Sequence, residues 1–226
     1  MADLIASRQL LLVLAPSWGC CVGELQRYER LSLVDSWQAV GPAIPVSLGR
    51  SGLAWGRGLH ALVDAQGPRK IEGDGCAPVG VFAITALFGY GAAESRAKLP
   101  YLRASTDLKA IDDPASAYYN RIVDQSKIAQ PDWLSCEDML RDDQRYAVGA
   151  VVGHNTEHPE PAAGSCIFLH VWAHEAAPTA GCTAMSLVNM SELAAWLDGD
   201  AQPLLVQLPL VAHEAQLQAW GLAFLR

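Results

Sequence analysis

A histidine and a cysteine 12 residues apart are the side chains of this sequence best suited to chemistry. His170 ends the apolar run Ile167–Leu169, and Cys182 follows a loop that contains Pro178. A thiol is nucleophilic as its thiolate, and a neighbouring imidazolium lowers the pKa of the thiol. The pair therefore predicts acyl transfer, with Cys182 as the nucleophile and His170 as the general base. A buried structural cysteine beside a strand-end histidine is the alternative.

The residues around this pair supply the other parts that acyl transfer needs. Gly181 allows a tight turn, and the backbone N–H groups of Gly181 and Cys182 are predicted to form an oxyanion hole. His154 and Asn155 follow another apolar run and could line a substrate groove or form a surface turn.

Metal hydrolysis is a rival reading of the histidines. The pairs His154/His158 and His170/His174 each have i, i+4 spacing, which places two imidazoles on one face of a helix for zinc. The sequence around both pairs favours strand or turn over helix. No metal or other cofactor is therefore predicted.

Four acidic residues lie in short motifs that also contain glycine or proline. Paired carboxylates can serve acid–base chemistry. Aspartates next to glycine or proline more often form turns, through hydrogen bonds to their own backbone. We expect turns at these positions: Glu72, Asp74, Asp112 and Asp113.

The composition excludes several classes of partner. The chain has 226 residues, 51% of them hydrophobic, and a formal charge of −8. This composition predicts a folded protein, and the scattered basic residues argue against nucleic acid and anionic membranes as partners. The six cysteines include no CxxC pair, so a zinc ribbon is excluded and the redox compartment stays open.

The apolar segment near the amino terminus is too short for a transmembrane helix. Leu10–Ala15 is followed by Pro16 and Gly19, whereas a spanning helix needs roughly 18 or more apolar residues. It also lacks a convincing cleavage site for a signal peptide. A buried first strand is the better interpretation.

The rest of the chain predicts a mostly β fold in one domain, residues 1–226, with its core at about 9–208 and a helical tail at 209–226. Apolar runs bounded by turn residues favour a sandwich or a partly open barrel with a few peripheral helices. A helix capped by Ser191 and ending at Gly199, another over Pro131–Leu140 and a weak one over His213–Phe224 are expected. The predicted strands are Gln9–Leu14, Val22–Tyr28, Ile44–Leu48, Leu59–Asp64, Val79–Phe88, Tyr146–Gly153, Cys166–Trp172 and Leu204–Leu208.

Several short motifs, in order, resemble the catalytic domain of L,D-transpeptidases, the YkuD domain. The family carries a His, a loop and then [Ser/Thr]-x-Gly-Cys, which is read here as His170 and Thr179–Cys182. The resemblance is closest to a bacterial subgroup with GSxIFLH and PTAGC motifs. The other matching segments are Trp55–Leu59, Glu72–Gly75, Ala77–Phe82, Asp112–Ser116, Tyr119–Asn120, His154–Asn155 and Gly164–His170.

The resemblance implies a function at the cell envelope. It implies that Cys182 attacks a peptidoglycan stem peptide, forms a thioester and can form an adduct with a carbapenem. It further implies that a backbone carbonyl, for which that of Ala180 is one candidate, or a hydroxyl orients His170. It also implies substrate contacts at His154, Asn155 and Thr179. Ala184 stands where the family usually has an arginine, so the means of holding a substrate carboxylate is left open. A cell-wall binding module without turnover is the non-enzymatic alternative.

Overall fold

A closed barrel of eight strands forms the body of the molecule in this computed structural model, which describes residues 6–60, 66–92 and 98–222. Within these ranges the chain also forms two α-helices, two short 3₁₀ segments and a separate small sheet. The strands are β1 (Gln9–Ala15), β2 (Val22–Glu29), β3 (Gln38–Ser47), β4 (Leu53–Trp55), β5 (Ala77–Gly89), β6 (Tyr101–Arg103), β7 (Leu108–Ala110), β8 (Ile122–Asp124), β9 (Glu137–Asp138), β10 (Val148–Val152), β11 (Phe168–Val171), β12 (Thr183–Met185) and β13 (Leu204–Pro209). The helices are α1 (Leu187–Trp196) and α2 (Leu210–Ala219), and the 3₁₀ segments are Gln125–Lys127 and Gly199–Ala201.

The barrel follows the order β10-β11-β12-β3-β2-β1-β13-β5 and closes by antiparallel pairing of β5 with β10. The prediction of a mostly β fold is confirmed. The barrel is closed, however, and not partly open or a sandwich. β4 and β6 pair with opposite ends of β5, which is long enough to extend past its barrel neighbours.

The apolar runs form strands because both of their faces are covered. β1 pairs in parallel with β13, and nearly all residues of the two strands are buried. Parallel strands covered on both sides read as continuous apolar runs, which is how these two segments appear in the sequence. Of the predicted strand Leu59–Asp64, Leu59 and His60 form no strand, and 61–65 lie outside the described residues.

The helix predictions had different outcomes. α1 begins at Leu187, where the Ser186 hydroxyl accepts from the N–H of Asn189, so Ser191 lies inside the helix and is not its cap. The tail helix α2 begins at Leu210, and the end of the predicted segment, after residue 222, lies outside the described ranges. None of the helices in the described residues is long and apolar enough to cross a membrane.

The predicted helix over Pro131–Leu140 is wrong. This segment contains only the short strand β9, and the Leu134 side chain, expected in the core, is 97% exposed. Met139 is buried as expected, but Glu137, expected to face water, is largely covered. The antiparallel pairing of β9 with β7 overrides the weak local periodicity.

A second, smaller core lies where the sheet β8-β7-β9 meets the barrel. Phe88 of β5 and Phe168 of β11 pack with Ala110 of β7 and with Met139, which follows β9. This core also contains three residues with polar side-chain atoms, Tyr146, Cys166 and Cys182. The thiols of Cys166 and Cys182 therefore lie in the core between the barrel and the small sheet.

Candidate active site

The predicted base His170 lies on β11, and the predicted nucleophile Cys182 comes directly before the neighbouring strand β12. β11 and β12 pair in parallel, with His170 opposite Ala184 and Leu169 opposite Thr183. Because side chains alternate along a strand, His170 shares a face with Phe168, and Cys182 shares a face with Ala184. The structure thus places the thiol and the imidazole on the same side of the barrel wall.

The His170 ring is held in one orientation. Its Nδ1 lies 2.8 Å from the carbonyl oxygen of Val171, so the orienting carbonyl is that of Val171 and not that of Ala180. Its ring also packs edge-on against Tyr146, with 5.4 Å between the centroids. If Nδ1 donates its proton to Val171, the lone pair needed by a general base is on Nε2.

Burial makes His170 neutral at physiological pH. The residue is only 6% exposed, and the loss of solvation lowers the pKa of the imidazole to about 4. The bond to Val171 opposes this shift, while Arg145 and Arg141 add to it. A neutral ring is the form that accepts a proton.

Cys182 is also buried, at 7% exposure. Its Sγ accepts a hydrogen bond from the N–H of Phe168 at 3.3 Å and donates to the carbonyl oxygen of Cys166 at 3.6 Å. Burial first, and then the charge of Glu137, raise the pKa of the thiol to about 12, against the opposing effects of Phe168 and Lys70.

The expectation that an imidazolium lowers the Cys182 pKa is therefore wrong for the resting protein. His170 carries no charge at neutral pH, so it cannot stabilise a thiolate by charge. In this arrangement the Cys182 thiol donates to the carbonyl of Cys166 and not to His170.

Gly181 and Thr179 shape the turn that carries Cys182. Gly181 has a φ of 153°, and a Cβ there would lie 3.0 Å from the carbonyl oxygen of Cys76. The Thr179 hydroxyl donates to the carbonyl of Cys182 at 2.6 Å and accepts from the N–H of Gly181 at 3.1 Å. Thr179, predicted to contact substrate, thus has its hydroxyl engaged in the turn. Of the two predicted oxyanion donors, the Gly181 N–H is therefore already bonded to an acceptor, the Thr179 hydroxyl.

His154 and Asn155 are buried and bonded to the loop that follows them. Nδ1 of His154 accepts from the N–H of Arg57 at 3.2 Å, and Nε2 lies 3.1 Å from the carbonyl of Ala163. Burial lowers the pKa of His154 to about 4. The Asn155 amide bonds Arg57, Glu160 and Gly164.

Asn120 connects this loop to the strand that carries His170. Its amide donates to the carbonyls of His154 and Asn155 at 2.9 and 2.6 Å, and it accepts from the N–H of Cys166 at 2.9 Å. The network is buried support rather than an exposed turn. Asn155 also borders a cavity of about 270 Å³ whose lining includes His158 but neither His170 nor Cys182.

The zinc arrangement does not form. His158 and His174 are exposed, and both ring nitrogens of His154 are engaged by the backbone. Within the described parts of the chain, no three His, Cys, Asp or Glu side chains lie close enough to hold a metal ion.

The turn prediction for the acidic motifs is confirmed at three positions. Glu72 lies in a turn. Asp74 accepts from the N–H groups of Ile71 and Cys76, and Asp113 accepts from those of Ala115 and Leu134. Asp74 also forms a buried ion pair of 2.6 Å with Lys70. No turn is assigned at Asp112.

Three residues near the pair were missed by the sequence reasoning. Lys70 lies near Gly181, where a Cβ would be 3.6 Å from its Nζ. The Tyr146 hydroxyl hydrogen-bonds Glu137, and burial is the main cause that raises the pKa of the Glu137 carboxyl. Only Tyr146 had a sequence signal, as the first residue of a predicted strand.

All six cysteines are free, including Cys182.

Comparison with known proteins finds no matching family model, no matching curated protein and no matching solved structure.

Proposed function

We propose that the protein is a cysteine acyltransferase that acts on peptidoglycan stem peptides, as an L,D-transpeptidase or L,D-carboxypeptidase. The placement of His170 on β11 and of Cys182 immediately before the parallel strand β12 carries this proposal. The motif order that resembles the YkuD domain supplies the substrate class. A site in the cell envelope follows from that substrate.

The first half-reaction forms a thioester. Neutral His170 takes the thiol proton as the Cys182 sulfur attacks the carbonyl of the third residue of a stem tetrapeptide. The carbon–nitrogen bond to the terminal D-alanine then breaks, and His170 gives its proton to the leaving amine. The Val171 carbonyl keeps the Nδ1–H in place throughout.

The second half-reaction releases the acyl group. An amine acceptor or water attacks the thioester, His170 accepts its proton, and the proton returns to the sulfur of Cys182. An amine gives a crosslink, and water gives carboxypeptidase activity. Both outcomes share the first half-reaction.

A cell-wall binding module is the second candidate. The burial of Cys182 and its pKa of about 12 favour a thiol that is unreactive at rest. A binding module would bind stem peptides without forming a covalent bond.

Mass spectrometry after incubation with a carbapenem or a tetrapeptide separates the two candidates. We expect one adduct on Cys182, none in Cys182→Ala, and an unchanged adduct in the matched control Cys20→Ala, since Cys20 packs against the main core and Cys182 belongs to the second core. An adduct on Cys166, or none on any cysteine of the folded protein, would refute the acyltransferase. Activity lost to a chelator and restored by zinc would instead support metal hydrolysis.

A further inference from the structure

Lys70 is a buried charge that the reaction described above does not use. Its side chain is only 4% exposed, and its backbone N–H donates to the carbonyl of Trp55, at the end of β4, at 2.9 Å. Burial of an ammonium group is costly unless the charge is paired. A lysine in such a position therefore needs an explanation.

Two glycines make room for the Lys70 side chain. A Cβ at Gly164 would lie 3.0 Å from both Cγ and Cε of Lys70, and a Cβ at Gly181 would lie 3.6 Å from its Nζ. Gly164 lies in the loop before β11, and Gly181 directly precedes Cys182. The lysine side chain thus extends from the loop that leads into β11 to the turn that carries the thiol.

Asp74 fixes the ammonium group in this position. Nζ of Lys70 donates to Oδ1 of Asp74 at 2.6 Å, and the same carboxylate accepts from the N–H groups of Ile71 and Cys76 at 2.9 and 2.8 Å. The Asp74 side chain is itself only 13% exposed. A charge that is held in this way needs no rearrangement when negative charge forms near it.

We propose that Lys70 is a positioning residue of the acyltransferase, whose ammonium group, held by Asp74 beside Gly181, stabilises negative charge on the Cys182 sulfur as the thiol loses its proton. The inference rests on the proposed function and deepens it. Lys70 keeps its own proton, and the thiol proton goes to His170. Because its side chain is buried, the lysine acts by its charge on the thiol and does not contact the substrate.

The charged groups around Cys182 act in opposite directions. After the larger effect of burial, Glu137 on β9 raises the pKa of the thiol, whereas Lys70 lowers it. The other titratable groups that face the sulfur are uncharged at neutral pH because burial shifts their pKa values: His170 on β11, Cys166 before it and Tyr146 before β10. The titratable groups that face Lys70 itself are Asp74, Cys76 and His154.

Alkylation of Cys182 tests the charge of Lys70 without turnover. The rate of iodoacetamide labelling is followed against pH by peptide mass spectrometry. Lys70→Met keeps most of the side-chain volume but removes the charge, so we expect labelling at pH 8 to slow about tenfold, as the thiol pKa rises by about one unit. The matched control Lys98→Met breaks an exposed ion pair with Asp198 and should leave the rate unchanged. An unchanged rate in folded Lys70→Met would overturn the proposal.

A double variant separates the charge of Lys70 from its role as the partner of Asp74. Lys70→Met alone leaves the Asp74 carboxylate buried without its partner, whereas Lys70→Met/Asp74→Asn removes both charges. We expect the double variant to fold, as judged by circular dichroism, and to label several fold more slowly than the wild type, since the charge of Lys70 acts on Cys182 directly. Wild-type labelling in the double variant would show that Lys70 only neutralises Asp74, and would overturn the proposal.

Adduct formation with a carbapenem distinguishes failure of this role from failure of the proposed function. We expect Lys70→Met to lower the maximal rate of adduct formation on Cys182 about tenfold, while the carbapenem concentration that gives half of this rate stays within about twofold. Equal maximal rates in the wild type and in both variants would overturn the role of Lys70 and leave the acyltransferase standing. If the wild type forms no adduct, the acyltransferase fails, and the pH dependence of labelling alone decides whether Lys70 acts on the thiol.

Discussion

Two of the three buried histidines show how similar surroundings can serve different purposes. His154 and His170 are both almost fully covered, and burial lowers the pKa of each to about 4. His154 has both ring nitrogens bonded to the backbone. His170 has only Nδ1 bonded, and among the described residues Nε2 has no hydrogen-bond partner. The unbonded Nε2 of His170, and not its burial or its pKa, distinguishes this candidate base from His154, which supports the fold.

The largest difference between the two histidines should appear in the rate of adduct formation when each imidazole is removed. His170→Ala should slow formation of the Cys182 adduct by about 10²–10⁴-fold, the usual contribution of a general base. His154→Ala should leave the adduct rate of the folded protein within a few fold and lower its stability instead. Rates of adduct formation, with folding checked by circular dichroism, measure both effects. Equal slowing in the two variants would remove the distinction between the histidines.

Substitution of Asn155 tests whether the region around His154 stabilises the fold or lines a substrate groove. Asn155→Ala removes four side-chain hydrogen bonds from a buried site. We expect a loss of about 2–4 kcal/mol in the free energy of unfolding, measured by urea denaturation. His158→Ala is the control, since that side chain is exposed and its loss should change stability little. A stable Asn155→Ala protein that binds stem peptides poorly would instead support a groove.

Acid should destabilise the protein through both histidines. Their folded pKa of about 4 lies below the ordinary value of 6.5, so the unfolded chain binds protons first as the pH falls. Stability is thus intact above pH 6.5 and is lost between 6.5 and about 4, by at most about 3 kcal/mol for each histidine. Unfolding free energies at pH 7 and 4.5 measure the loss. His154→Gln should make the dependence on pH less steep, and an unchanged slope would contradict the assignment.

Thr179 should give the smallest effect. Thr179→Val keeps the shape but removes the hydroxyl that bonds Gly181 and Cys182, at an expected cost of about 1 kcal/mol. We expect adduct formation to slow several fold because the turn that holds Cys182 loosens. Thr179→Ser, which restores the hydroxyl, should recover the rate. Failure of serine to rescue would show that the methyl group or a substrate contact matters instead.

The apolar runs allowed most of the barrel strands to be predicted. Val79–Phe88, for example, lies inside β5, and Leu204–Leu208 inside β13. Closure of the barrel could not be predicted, because it depends on the pairing of β5 with β10, about 60 residues apart, and short runs do not encode such register.

His170 and Cys182 were singled out by residue types and spacing, but the electrostatics around them could not be predicted. The pKa of Cys182 depends on Glu137, which lies 45 residues earlier in the sequence, and the apparent helical pattern of Pro131–Leu140 suggested that Glu137 faced water. Its burial comes from contacts between the small sheet and the barrel. Likewise Asn120 gave no sign, beyond its place in a short motif, that it would tie two loops together.

The parallel pairing of β11 with β12 leaves the connection between them free to vary in sequence and length. Two strands that run the same way need a connection that returns along their whole length, and 172–181 provide it without forming a helix or an extended strand. The ladder and the turn at Thr179–Cys182 together set the spacing of His170 and Cys182. Exchanging or lengthening the part of the connection before Thr179 should therefore change the surface next to the pair, while His170 and Cys182 keep their places.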